Sequence, residues 1–172
     1  MLTRTPWTPP GDLDAEANLV VLACVGGGRK PSAIWTLRPD DFADHRHAAL
    51  WRVATAHHVA GTDPTADDLF RVASSGYVAW LIVHTWPTDT HPDTVATKAE
   101  RWLARVRDAA TTRRMLDACW HLCAAWSDDD KARWQAEIAK IAAAASGKDA
   151  PPDRSRTAST YAARALRYEA TP

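Results

Sequence analysis

Cys119, His121 and Cys123 stand close together in one short stretch, with His84 or His91 as a possible fourth zinc ligand. On a continuous helix, residues four apart share a face, and the residue between them points nearly opposite. One tetrahedral ion therefore cannot collect all three, and the spacing predicts no metal site and no other cofactor. The bland reading is small thiols packed between helices. Cys24 is the third cysteine, so not all can pair within the chain, and reduced, mostly buried thiols are expected. His45, His47, His57 and His58 titrate near neutrality and suggest acid–base work. No Ser, Cys or carboxylate stands with them in a recognisable nucleophile motif, so no catalytic residue is assigned and the chain reads as a non-enzyme. His47 fits better as a packed side chain hydrogen-bonded at the start of a helix. Asp128, Asp129 and Asp130 resemble a cation cluster, but a helix N-terminus already accounts for them, because its free N–H groups favour negative charge.

Arg101, Arg105, Arg107, Arg113 and Arg114, with Lys98, outnumber Glu100, Asp108 and Asp117 over the same stretch. Arg101, Arg105, Arg107 and Arg114 are possible phosphate contacts, and a nucleic-acid-binding module using this basic face is the alternative reading. No aromatic stacking platform or sequence-reading motif accompanies them, so a solvated helix face or an interface rim is favoured and any DNA contact is expected to be weak. Lys+Arg 21 against Asp+Glu 21 leaves no global field toward nucleic acid or anionic membrane. No apolar run approaches the roughly 18 to 20 residues that span a bilayer, and the opening MLTRTPWTPPGDLD lacks the apolar middle of a secretory signal. A soluble, cytoplasmic protein without membrane contact is expected.

The 172 residues, 46% hydrophobic, suffice for one domain plus a tail. Nine Trp against two Phe and three Tyr predict a bulky core, a sticky interface, or both. Residues 1–11 read as an arm without regular structure, rich in Pro and Gly and carrying Trp7. Residues 12–90 read as a helical head. Asp12 or Asp14 caps a first helix whose inner face is Leu13, Ala17, Val20, Val21 and Cys24, with Gly26, Gly27 and Gly28 as its stop. Pro39 and Asp40 favour one turn carrying Phe42. A helix over 45–60 presents Leu50, Trp51 and Ala54, with His47 and His58 on the same spacing, and Gly61 ends it. Thr65 and Asp68 form a capping box for a helix bearing Leu69, Phe70 and Val72, closed by Gly76. YVAWLIVH, apolar throughout, is taken as helix because no second strand candidate exists.

Residues 91–146 read as a helical hairpin. Thr90 or His91 caps a long helix with Pro92 in its first turn, unbroken to Ser127. Val95, Ala99, Trp102, Val106, Ala109, Arg113, Leu116, Trp120 and Cys123 alternate steps of four and three, a coiled-coil seam with Arg113 as polar intruder. Ser127 opens a second helix that continues the seam with Trp134, Ile138, Ile141 and Ala145. Leu103, Ala110, Leu122 and Trp126 form a further apolar stripe that two helices cannot also cover. The hairpin is therefore expected to self-associate, as a dimer or higher oligomer, through Trp102, Val106, Ala109, Arg113, Leu116, Trp120, Trp126, Trp134 and Ile138. Residues 147–172 read as a flexible linker followed by a short helix, TYAARALRYEA. It is too short to stand alone in water and suits a partner-binding tail through Tyr161, Arg164, Leu166, Arg167 and Tyr168.

Over roughly residues 15–145 the sequence resembles the N-terminal domain of DnaB-type replicative DNA helicases. AEANLVVLAC is similar to the family's AExxVLG helix. LRPDDF followed by HAALW is similar to LxPxDFxxxxHxxIF, with Phe42, His47, Leu50 and Trp51 in the matching places. Gly61 falls at the Gly of the GxPxD turn, and YVAWL with Pro87 resembles AYLxxL and a later T-P turn. RVRDAATTRRML resembles VRExxxxRRLI through Val106, Arg107, Asp108, Arg113, Arg114 and Leu116. The loop before YVAWL is shorter than the family's, and Thr65 with Asp68 replaces its usual Asp and Thr.

The resemblance implies an all-α fold, a globular head with a long antiparallel hairpin. It also implies self-association, a collar over the helicase motor ring and docking to primase. Neither GGGRKPS nor ASGKDA meets the G-x-x-x-x-G-K-[ST] loop that cradles nucleotide phosphates, so the chain is not expected to be a helicase by itself. It is expected to be an accessory replication protein of a phage or other mobile element, binding replicative helicase, primase or both.

Overall fold

The computed structural model describes residues 11–27, 30–85 and 91–146, apart from the side chain of Pro92. They form the helices α1 (Leu13–Val25), α2 (His45–Ala60), α3 (Ala66–Phe70), α4 (Ser75–Thr85), α5 (Pro92–Ala124) and α6 (Asp128–Ser146), with 3₁₀ turns at Ser32–Thr36 and Pro39–Asp41. No strand occurs among the described residues, and the fold is all-α, a helical head and a hairpin. No described helix is long and apolar enough to cross a membrane. Two compact units divide within α5, after Ala110, so the head takes in the first half of that helix rather than ending at residue 90.

In the first unit α1 is the central helix. The Asp12 carboxylate accepts the Ala15 N–H at 3.1 Å, and at the far end the Gly26 N–H bonds Leu22 while Gly27 turns the chain at φ 54°. The expected one-sided stripe is corrected. Leu13 is half-exposed, whereas Leu19, Leu22 and Ala23 are buried along with Val20, Val21 and Cys24. Both α2 and α4 pack on α1, so apolar residues are needed nearly all round it. Ile34, Leu37 and Phe42 complete this core around the wholly buried Trp51. The Trp51 indole N–H donates to the Leu37 carbonyl at 3.2 Å, and its ring lies 5.0 Å from Phe42 and 5.6 Å from Trp35.

α2 spans the expected residues and ends at Gly61 as expected, and its N-cap is Asp44. Asp44 accepts the Arg46 N–H, and Gly61 leaves the helix in the left-handed region at φ 69°. Thr65 and Asp68 form the expected capping box on α3. Two neighbouring expectations are corrected: Val72 lies beyond the end of α3, and Gly76 lies in the first turn of α4 instead of closing α3. Ser74 decides the last point, because its hydroxyl accepts the Tyr77 N–H at 3.3 Å and its carbonyl the Val78 N–H at 3.0 Å, starting a new helix across the glycine. Although α4 is apolar, only Val78 and Leu81 are buried.

α5 begins as expected, with the His91 carbonyl accepting the Val95 N–H at 3.0 Å and Pro92 the first helical residue. Val95, Ala99, Leu103, Val106 and Ala110 are buried in the first unit's half of the helix. Leu103 and Ala110, expected to need an outside partner, are thus covered by the chain itself. In the second unit the inward residues are Met115 and Ala118, flanked by half-buried Thr111, Leu122 and Ala125. The expected seam therefore holds at Val95, Ala99 and Val106 and fails at Trp120 and Cys123, which are exposed. A strict 3.5-residue repeat drifts about 20° per heptad from the face of a straight helix, so an extrapolation from Val95 leaves the buried side before the helix ends.

Candidate interaction surface

The polar side chains that looked chemical in sequence are committed to architecture. Glu16 is fully buried on α1, and its carboxylate accepts the backbone N–H groups of Ala43 at 2.7 Å and Asp44 at 3.2 Å. His47 Nδ1 lies 3.1 Å from the same carboxylate, and His47 Nε2 lies 2.8 Å from the Tyr77 hydroxyl. With Nδ1–H donating to Glu16, Nε2 accepts from Tyr77. This chain of bonds ties α1, the start of α2 and α4 together, and it places a carboxylate at the positive end of α2. His47 is thus the packed, hydrogen-bonded residue expected at a helix start. From sequence alone Glu16 is assigned no role; its signal is an acid near the start of a mostly apolar helix, AEANLVVLAC.

The other histidines are equally engaged. His45 lies 3.8 Å from Asp44, and His57 bridges the Thr62 hydroxyl at 2.9 Å and Asp68 at 3.3 Å. His58, expected toward the core, is exposed and stacks flat on Trp35 at 4.0 Å. His84 Nδ1–H donates to the Trp80 carbonyl at 2.8 Å, and His91 lies 3.9 Å from Asp93. His121 stacks on Trp134 at 4.4 Å and meets Trp120 edge-on at 5.2 Å. Among the described residues no His, Cys, Asp and Glu cluster fit for a metal exists. Cys24 is buried, and burial pushes its thiol up to about 12. Cys119 is half-buried and its thiol is raised, mainly by burial and then by Cys123. Cys123 is exposed, which corrects the expectation of mostly buried thiols.

The basic stretch of α5 is partly consumed. Arg105 forms a two-pronged ion pair with Asp12, at 2.5 and 2.7 Å, and Arg107 donates to the Thr36 hydroxyl. Both contacts lie within the first unit and hold α5 against the head's own chain. Arg101 and Arg114 are exposed, and Arg113 is half-buried.

Exposed aromatic surface remains at the turn of the hairpin. Ser127 opens α6, its hydroxyl accepting the Asp130 N–H at 3.1 Å, which is the helix-start role expected of this acidic run. The His121 and Trp134 stack closes the two helices on each other. No residue of α6 is buried: Trp134, Ile138, Ile141 and Ala145 form the expected inner face but stay half-buried. Trp126 is 98% exposed and Trp120 46%. Of the other residues assigned to self-association, Leu116 is half-buried in this unit. Val106 is fully buried in the head, Trp102 packs against that core and Ala109 is half-buried in the same unit, so the head already occupies them. Tyr161, Arg164, Leu166, Arg167 and Tyr168 lie outside the described residues.

The arrangement of helices matches the crystal structure of the N-terminal domain of DnaB helicase from Mycobacterium tuberculosis, with a TM-score of 0.59. The fold is that of a DnaB helicase N-terminal domain. The match covers 99% of that solved chain and 77% of this one at 22% sequence identity. No protein-family model and no curated protein sequence matches the chain. At that identity the likeness establishes the DnaB N-terminal fold and nothing of the activity.

Proposed function

We propose that this protein is a non-catalytic binding module of DNA replication, which self-associates through its helical hairpin and binds a replicative helicase, a primase or both. The observation that carries the reading is the match to essentially the whole of a solved DnaB N-terminal domain. The hairpin's composition supports it, because α6 buries no residue and the indole of Trp126 stands almost entirely in solvent. Large aromatic side chains left at a surface are enriched where proteins associate. Trp120, Trp126, Trp134 and Ile138, with Leu116 and Arg113, are the proposed contact set. Trp102, Val106 and Ala109 serve it indirectly, by fixing α5 to the head. The tail residues Tyr161, Arg164, Leu166, Arg167 and Tyr168 are proposed as a second, peptide-like contact. DNA binding is the weaker reading, because Arg105 and Arg107 are held by Asp12 and Thr36.

Light scattering of the full chain should give a mass above the 18.9 kDa of one copy, and Trp120→Ala with Trp126→Ala should lower it without loss of helix content. Pull-down with purified replicative helicase and primase should retain at least one of them. A monomer would overturn the self-association, and retention of neither protein would overturn the partner assignment. A DNA affinity that falls steeply with salt, in the absence of protein binding, would favour phosphate contact instead.

A further inference from the structure

Three sulfur-bearing side chains follow one another at four-residue steps along the second unit's part of α5, namely Met115, Cys119 and Cys123. Residues four apart lie on one face of a helix, one turn above the other. Met115 is buried, Cys119 half-buried and Cys123 exposed, so the row runs from the interior out to solvent. Neither cysteine is in a disulfide. Asp117 and His121 stand off this row and are engaged with each other at 3.7 Å, His121 also lying flat on Trp134. No group of three or more His, Cys, Asp or Glu side chains converges among the described residues, which leaves zinc without its four ligands. Two thiols are enough for a softer ion.

Helix geometry separates what this pair can hold from what it cannot. The Cβ atoms of residues four apart on an α-helix stand about 5 to 6 Å from each other. A disulfide needs them about 3.5 to 4.5 Å apart, so the two sulfurs cannot join without distorting the last turn of α5. A linear bridge of sulfur, metal and sulfur is longer. With thiolate bonds near the ~2.3 Å of zinc, its sulfurs stand about 4.6 Å apart, which Cβ atoms at helical spacing can span. The two thiols already sense each other, since burial and then Cys123 raise the Cys119 thiol. Monovalent copper suits the place: it is soft, it is selected by thiolates, and it is satisfied by two of them in line. Met115, one turn further back on the same face, walls the inner side with another soft sulfur in place of water.

We propose that Cys119 and Cys123 bind one Cu(I) ion as a linear dithiolate on the face of α5. Two thiols and Cu⁺ give a dithiolate complex of one negative charge and two released protons, with no change of oxidation state. Below the thiol range the apparent affinity should therefore rise by up to about 100-fold per pH unit. The test is anaerobic titration of the full, reduced chain with Cu(I) against the chromogenic chelator bathocuproine disulfonate, with the mass followed by light scattering. The parent chain should hold one ion per copy. Cys119→Ser and Cys123→Ser should each weaken retention by about 100-fold or more, beyond what loss of an outer-shell contact costs, with helix content unchanged by circular dichroism. The loaded chain should also melt at a higher temperature than the copper-free one, because the ion binds only the helical form. Equal retention by the parent and either serine variant would overturn the site. Half an ion per copy, with a mass twice that of the copper-free protein, would also overturn it, in favour of copper bridging the Cys123 thiols of two copies. Zinc held as tightly as copper would overturn the two-coordinate geometry.

Discussion

Replacing Glu16 tests whether the buried polar chain is the joint on which the head is assembled. Glu16→Ala removes the acceptor for two backbone N–H groups and for His47 Nδ1, all at 2.7 to 3.2 Å. It also opens a cavity at a position with no solvent exposure. Each buried donor left unpaired costs about 1 to 3 kcal/mol, so the loss of the shared acceptor costs about 3 kcal/mol or more in all. Against a total stability of about 5 to 15 kcal/mol, such a loss leaves the head near its unfolding limit. At roughly 2 to 4 °C per kcal/mol for a chain of this size, the Tm should fall by about 10 °C. Glu16→Gln keeps the volume and one carbonyl acceptor and should cost about 2 kcal/mol. Tyr77→Phe removes only the outermost hydroxyl and should cost about 1 kcal/mol. Thermal and urea unfolding followed by circular dichroism would rank the three. A Glu16→Ala loss below about 1 kcal/mol would refute the idea that this carboxylate holds α1 to the start of α2.

Two further outcomes follow from the ionisable groups. The Arg46 guanidinium, by hydrogen bonding, lowers the Asp44 carboxyl to about 2 from 3.8. Folding therefore favours the ionised form; the stability it adds is present above about pH 4 and disappears as pH falls toward 2. Asp44→Asn should flatten that part of a urea-midpoint profile, and an unchanged profile would assign the acid sensitivity elsewhere. For the cysteines, a thiol-reactive dye near neutral pH should label exposed Cys123 first and half-buried Cys119 more slowly, and reach Cys24 only on unfolding, since burial raises that thiol to about 12. Equal labelling of all three in the folded protein would contradict the packing of α1.

Helix ends were legible in the sequence because they depend on local chemistry. Asp12 and Thr65 cap where short oxygen-bearing side chains at a helix start predict, and Gly61 stops α2 where only a residue tolerant of positive φ fits comfortably. The motifs that resembled DnaB-type helicases also carried the fold correctly. What was not legible was the side of each helix that its neighbours would cover. YVAWLIVH is apolar on every side, and nothing local says that Val78 and Leu81 face inward while Trp80 and Val83 face out. Along α5 the inward side was assigned by carrying one repeat through the whole helix, although its two halves serve different compact units. Glu16 was visible as part of a motif, but its burial depends on contacts with residues far along the chain, Ala43, Asp44 and His47.

The fate of the histidines and arginines bears directly on what kind of protein this is. A catalytic or metal-binding group must keep a lone pair or a coordination position available to a ligand. His47 spends both ring nitrogens on Glu16 and Tyr77, and His57 spends both on Thr62 and Asp68. His58, His84 and His121 lie flat against tryptophans, and Arg105 and Arg107 brace α5 against Asp12 and Thr36. Most of these side chains are thus working as joints between elements of the fold, and His84 braces its own helix. Among the large groups left toward solvent are three indoles, Trp80 on the head and Trp120 and Trp126 at the hairpin turn. Indoles bring wide contact area and one hydrogen-bond donor but no acid–base function near neutrality, which suits a surface that recognises another chain.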